Sequence, residues 1–171
     1  AFVAAVGDAV KILDLGSGGG LPGLVLAVEL PNTRVTLLDA SERRVAFLRD
    51  AIRRLGLRQR VRAISGRAEV LAREGELREQ FDAVVARSFA SPAITAECAA
   101  GFLRLHGTAY ISEPAATPDR WPSEPLKAIG LSVGDVIKYD ESSIRMLHRI
   151  SVGLEHVPRS VGVPARRPIF T

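Results

Sequence analysis

The chain has 171 residues, a net charge of +4 and a hydrophobic share of 47%, which predicts one soluble globular domain with a full core and excludes a disordered or low-complexity polypeptide. No apolar run reaches membrane-spanning length, and Cys98 stands alone, which excludes an internal disulfide, fits a reducing cytoplasm and reads as a small buried apolar side chain. Of the 23 basic residues only Lys11, Lys127 and Lys138 are lysines, so arginine, whose planar fork suits phosphate and carboxylate, carries the positive charge.

Residues 2–8 read as the end of a helix or a loop, broken at Gly7-Asp8. Residues 10–15 are an apolar run with Asp14 near its end, the pattern of a buried parallel strand. A glycine-rich turn follows, and Pro22 opens an apolar helix over 22–29 that Pro31-Asn32 stops. Residues 34–39 form a second strand, again ending in an acid, Asp39. Ser41 caps the next helix, with Arg44 where a full capping box has an acid; Val45, Leu48, Ile52 and Leu55 share one face and Gly56 ends it. Residues 60–65 are a third strand, followed by a loop at 66–69 and a short helix through Val70 and Leu71. A fourth strand at 81–87, a helix at 92–102 and a fifth strand at 107–112 come next. Residues 114–125 read as a loop, 126–129 as a helical turn, and 131–139 and 144–153 as the two strands of a hairpin. Residues 154–171 are a Pro- and Arg-rich tail without a period.

This order predicts an α/β fold: a Rossmann-like, doubly wound, mostly parallel seven-stranded sheet with an antiparallel C-terminal hairpin. Ligands in such sheets bind at the carboxyl ends of the strands, near the switch point. Gly16, Asp39, Ala68 and Arg87 are therefore expected around one crevice.

The glycine turn admits two registers. Gly18-Gly19-Gly20-Leu21-Pro22-Gly23 matches the dinucleotide fingerprint, but the first glycine after the strand is Gly16. The other register, Asp14-x-Gly16-x-Gly18-x-Gly20, is the pattern of class I methyltransferases that bind S-adenosylmethionine. A pyrophosphate disfavours a carboxylate beside it, whereas the ammonium of S-adenosylmethionine favours one, and Asp14 supplies it. Asp39 suits the ribose hydroxyls of either cofactor. Ala68-Glu69 falls where an adenine would lie, and Glu69 is equally a stabilising first-turn acid. Arg87, delivered by an apolar strand, is expected to meet a carboxylate or phosphate: that of the cofactor, of an RNA, or a neighbouring acid such as Glu113 or Asp14. No metal-ligand spacing appears, and His106, His148 and His156 read as structural or solvated.

The segments Asp14 to Gly23, Leu37-Leu38-Asp39-Ala40 with Arg43-Arg44 and Phe47-Leu48, Gly66-Arg67-Ala68-Glu69, Ala86-Arg87-Ser88-Phe89-Ala90-Ser91, and Pro158-Arg159 with Gly162, Pro164 and Arg166-Arg167-Pro168 together resemble the bacterial RsmG (GidB) family. The resemblance implies methyl transfer from S-adenosylmethionine to N7 of a guanine in 16S ribosomal RNA, acting on that RNA or the small ribosomal subunit in the cytoplasm, with no membrane or metal partner. By position it implies cofactor contacts at Gly16, Leu21, Asp39, Ala68, Glu69 and Arg87, beside Asp14, Gly18 and Gly20 of the loop. Arg159, Arg166 and Arg167 are the first candidates for binding RNA. The whole chain is expected to be a single methyltransferase domain, with the helical N-terminal segment usual in the family missing. Where the family usually has lysine-glycine after the fifth strand, this chain has Glu113-Pro114. An acid facing the target would repel RNA, so Glu113 keeps open a divergent methyltransferase for another RNA or a small molecule. A non-catalytic S-adenosylmethionine-binding module is a third class.

Guanine N7 has a free lone pair at neutral pH, so its in-line attack on a sulfonium methyl needs no general base. The sequence offers no convincing base, and catalysis is expected to rest on positioning, with a possible part for Arg87.

Overall fold

The computed structural model describes residues 1–73, 75–116 and 118–171. Its strands are β1 (Lys11–Leu15), β2 (Arg34–Asp39), β3 (Val61–Ser65), β4 (Phe81–Ala86), β5 (Leu103–Pro114), β6 (Leu131–Lys138) and β7 (Ser142–Arg149). The helices are α1 (Phe2–Val6), α2 (Gly23–Glu29), α3 (Glu42–Arg54), α4 (Ala68–Leu71), α5 (Pro92–Phe102), α6 (Ser123–Ala128) and α7 (Val163–Arg166), with a 3₁₀ turn at Gly75–Leu77. The strands make one seven-stranded sheet in the order β3-β2-β1-β4-β5-β7-β6. β1 to β5 run parallel, and β7 is antiparallel to both β5 and β6. This is the predicted mixed sheet, and its strand order reverses between β1 and β4.

Every residue of β1 and β2 after the first is buried, as strands covered on both faces require. One face packs on α2 and α3 through Ile12, Val35, Leu37, Val45 and Leu48. The other packs on α5 through Leu13, Leu15, Val84, Cys98 and Phe102. Burial pushes the Cys98 thiol above its ordinary range, as an apolar role predicts. α3 starts where expected, with the Ser41 hydroxyl accepting from the Arg44 amide at 3.4 Å.

Several segments depart from the sequence reading: the hairpin's second strand, expected over 144–153, is Ser142–Arg149, and α4 already begins at Ala68. β5 begins at Leu103, because Phe81 pairs with Leu103 before the register shifts to Ala83 against Thr108, past His106 at φ +66°. The predicted loop at 114–125, of which Thr117 lies outside the described residues, already contains the start of α6. The tail is docked rather than solvated. The Arg78 guanidinium donates to the carbonyls of Ala72, Leu154 and Val157 at 2.9 Å, Val157 and Pro164 are buried, and Phe170 meets Trp121 edge-on with ring centroids 6.3 Å apart. These are long-range contacts, which leave no periodic trace.

Candidate active site

β1 and β2 end side by side, and the amides of Gly16 and Ser17 both donate to the Leu38 carbonyl at 2.9 Å. The glycine loop is thereby tied to the end of β2. Asp39 completes the tie: Oδ2 accepts from the Gly18 amide and Oδ1 from the Ser41 amide, each at 2.9 Å, with an Arg44 nitrogen 3.6 Å away. Gly16 holds φ +76°, and a Cβ there would stand 2.5 Å from Cδ2 of Phe89. Both the backbone angle and the ring on top of it require glycine.

A cavity of about 270 Å³ opens at this point, lined among others by Gly16, Asp39, Ala68, Glu69 and Phe89. Glu69 belongs to the first turn of α4 and also faces the cavity, so its two readings describe one residue. Burial alone would raise its carboxyl, but its own backbone amide, Arg67 at 3.0 Å and the Gly162 amide at 3.4 Å outweigh burial and hold it below the usual range. A second cavity of about 360 Å³ on the other side of the loop is lined by Phe2, Leu21, Pro22, Arg87, Ser112 and Ile144. Arg87 is exposed and makes no hydrogen bond or ion pair among the described residues. A third cavity of about 200 Å³ lies between the ends of β4 and β5, with Phe89, Pro92, Arg120 and Trp121 in its wall; it shares Ser88, Phe89 and Ala90 with the first.

Of the residues named from sequence, Gly16, Asp39, Ala68 and Glu69 meet in one cavity, and Leu21 and Arg87 in its neighbour. Asp14, Gly18 and Gly20 line none of the three. Asp14 sits beneath the loop at 1% exposure. Its Oδ2 accepts from the Gly23 amide at 3.0 Å, and the Ser17 hydroxyl donates to its backbone carbonyl at 2.9 Å. Burial pushes its carboxyl up to about 7, against the bonds from Gly23 and Ser17, with Asp39 adding to the rise. A Cβ on Gly23 would stand 2.5 Å from that oxygen, so glycine lets the first turn of α2 close on the acid. Phe89 carries no assigned role in the sequence reading; an aromatic two residues past Arg87, just beyond a strand end, is the signal that marks it.

Two expectations are corrected. Arg159 is not free for RNA: its Nε and Nη2 take both oxygens of Glu97 at 2.8 and 2.7 Å, its backbone amide donates to the same carboxylate, and Glu97 is buried. Arg166 and Arg167 are exposed and in no ion pair among the described residues. Glu113 does not face an incoming RNA. It is buried at 5% exposure, with Arg120 Nε at 2.9 Å, the Trp121 indole nitrogen at 3.1 Å from both oxygens, and Arg145 Nε at 3.9 Å. Its charge is spent inside the fold, and the observation that favoured another acceptor is gone.

Residues 2–121, which contain the lining of the first and third cavities and Leu21 and Arg87 of the second, match the family GidB, rRNA small subunit methyltransferase G. A ribosomal RNA small subunit methyltransferase G from Roseiflexus sp. (strain RS-1) is 36% identical, over 95% of this chain and 73% of its own length. The chain belongs to the rRNA small subunit methyltransferase G family. It is an S-adenosylmethionine-dependent methyltransferase.

Solved structures agree on the fold. A SAM-dependent methyltransferase from Aquifex aeolicus superposes with a TM-score of 0.65 at 15% identity, covering 88% of each chain. The cyclase SpnF superposes with a TM-score of 0.68 at 17% identity, over 88% of this chain and 80% of its own. A cyclase on the same scaffold means that the fold alone does not choose the reaction; family membership does. For rRNA small subunit methyltransferase G the matched segment includes the glycine loop, Asp39, Ala68, Glu69, Arg87 and Phe89.

Proposed function

We propose that this methyltransferase acts on N7 of a guanine in 16S ribosomal RNA of the small ribosomal subunit, in the cytoplasm, with residues 1–171 working as one domain. One observation carries the reading: the segment matched to the family is the segment whose strand ends converge on the cavity of Gly16, Asp39, Ala68 and Glu69. The residues present fit the cofactor. Glycine at 16 lets the Phe89 ring close over the loop at the cavity wall, and the Arg87 guanidinium has no partner among the described residues.

When bound, S-adenosylmethionine supplies an electrophilic methyl on a sulfonium. Asp39 accepts the ribose hydroxyls with the lone pairs left after Gly18 and Ser41, and Ala68 with Glu69 meets the adenine edge. Arg87, next to Leu21, takes the methionine carboxylate as a charge-assisted bond. Asp14 acts through the loop, placing negative charge under the ammonium and holding α2 in position. The cavity walled by Phe89 and Trp121 takes the guanine, and Arg166 and Arg167 hold RNA phosphate. The nucleophilic lone pair on N7 is already free, so the protein's contribution is alignment and exclusion of water.

Arg87→Ala is expected to leave the fold unchanged, since the Arg87 side chain has no partner among the described residues to lose, and to weaken S-adenosylmethionine binding by roughly 10- to 150-fold. Calorimetry reads the affinity, and labelled methyl transfer to undermethylated 16S RNA reads the activity. Cofactor binding by the wild type with no methylation of any RNA would overturn the reading.

A further inference from the structure

We infer that the rim of the sheet opposite the active site is a second RNA-binding surface, a cationic cleft that grips the phosphate backbone of the RNA substrate. The inference rests on the proposed RNA substrate. At the amino ends of β1, β2 and β3 a cavity of about 410 Å³, the largest of the three described so far and this one, is lined by Lys11, Arg34, Arg58, Arg60 and Arg62, with Glu76 the one acid among its described residues. That excess of four positive charges equals the net charge of the whole chain. None of the five cations takes part in an ion pair among the described residues, although ten other arginines do. Their polar contacts are neutral and orienting: Arg60 Nη1 donates to the Leu30 carbonyl at 3.3 Å and Arg62 Nε to the Thr36 hydroxyl at 3.2 Å. The nearby Asp82 carboxylate is occupied by Arg104 and by the amides of Val10 and Lys11.

The local sequence accounts for the cleft. A parallel strand covered on both faces reads as a continuous apolar run, yet β3 alternates, with Val61 and Ala63 buried and Arg62 exposed. α3 covers one face of this edge strand, through Val45, Ile52, Val61 and Ala63; toward the other face Arg62 and Arg34 are left in solvent. Phe81, the one aromatic in the wall, is buried at 4% exposure, so no ring is offered to a base. Unpaired arginine forks without a stacking platform suit phosphate oxygens and carry no sequence information. A parallel strand of six residues spans about 20 Å, so RNA seated here is held well away from the reacting guanine. The cleft therefore bears on how the substrate docks and leaves the methyl transfer itself alone.

The test compares wild type, Arg34→Glu/Arg58→Glu, and Lys127→Glu/Lys138→Glu, a control with the same change of net charge at the far edge of the sheet. Methyl transfer to undermethylated small subunits is measured as a function of salt. In the cleft variant KM for the RNA substrate is expected to rise on the order of tenfold, with kcat and cofactor affinity unchanged, and the slope of log KM against log salt to fall by roughly 1.4 to 1.8. The control is expected to match wild type. Equal effects in both double variants, or unchanged KM and slope in a cleft variant that melts like wild type, would overturn the cleft while leaving the methylation reading intact. Inorganic phosphate that raises the melting temperature of wild type alone, with KM unchanged, would make the cleft a small-anion site and also overturn it. A wild type that methylates no RNA removes the proposed function, and the RNA cleft with it.

Discussion

Glu113→Ala is expected to destabilise the protein by about 1–3 kcal/mol, read as a lower midpoint of urea unfolding. The carboxylate is the shared acceptor of Arg120 and the Trp121 indole and lies beside the Arg145 guanidinium, and Trp121 and Arg145 are themselves buried. Removing it strands a buried indole N–H and takes one of two acids from Arg145, whose guanidinium keeps Asp119 at 3.2 Å and the Gly134 carbonyl at 3.3 Å. Arg145 Nε has no hydrogen bond even with Glu113 in place, so the indole N–H of Trp121 is the donor that the substitution leaves without an acceptor. An acid that merely repelled RNA would behave in the opposite way: its loss would raise RNA affinity and leave stability alone. Unchanged unfolding with tighter RNA binding would therefore refute the structural role.

Asp14 should make stability fall as pH rises from about 4 to about 7. Its carboxyl is pushed from 3.8 to about 7 by burial. Below about 4 both the folded and unfolded chains hold the proton, and the full stability is present. Between the two values the unfolded chain has lost the proton and the folded one keeps it, so rising pH favours unfolding. Above about 7 both are ionised and the loss is complete, at about 4 kcal/mol for a shift of this size. Asp14→Asn keeps an oxygen for the Gly23 amide but carries no charge. It is expected to flatten the pH profile of the unfolding midpoint and to be more stable than wild type at pH 8, while binding S-adenosylmethionine more weakly. A variant with the wild-type pH profile would show that the titration belongs elsewhere.

The contrast between these two acids shows what a sequence discloses. Asp39 and Arg87 are legible because their placement is local: an apolar run ends, and the next side chain emerges at the strand's carboxyl end. The glycine loop is legible for the same reason, and Gly16 does line the cavity. Glu113, Arg159 and Arg149 are not, because a charged residue read alone defaults to the surface. Their partners are set by tertiary structure: Glu97 lies 62 residues from Arg159, and Glu79 lies 70 residues from Arg149, which is 0% exposed and also donates to the Ile129 carbonyl at 2.6 Å. The docked tail escapes notice similarly, since Arg78 holds it through carbonyls, which every residue has.

Glu69 faces the cavity and at the same time accepts from the Gly162 amide of the docked tail. A single carboxylate therefore answers to two ends of the molecule. Whatever free energy the tail lends to the placement of Glu69, an adenine held there returns to the tail, because such coupling is reciprocal. If Glu69 meets the adenine as proposed, the carboxyl-terminal segment is in this sense a thermodynamic partner of the cofactor, although the two need never touch.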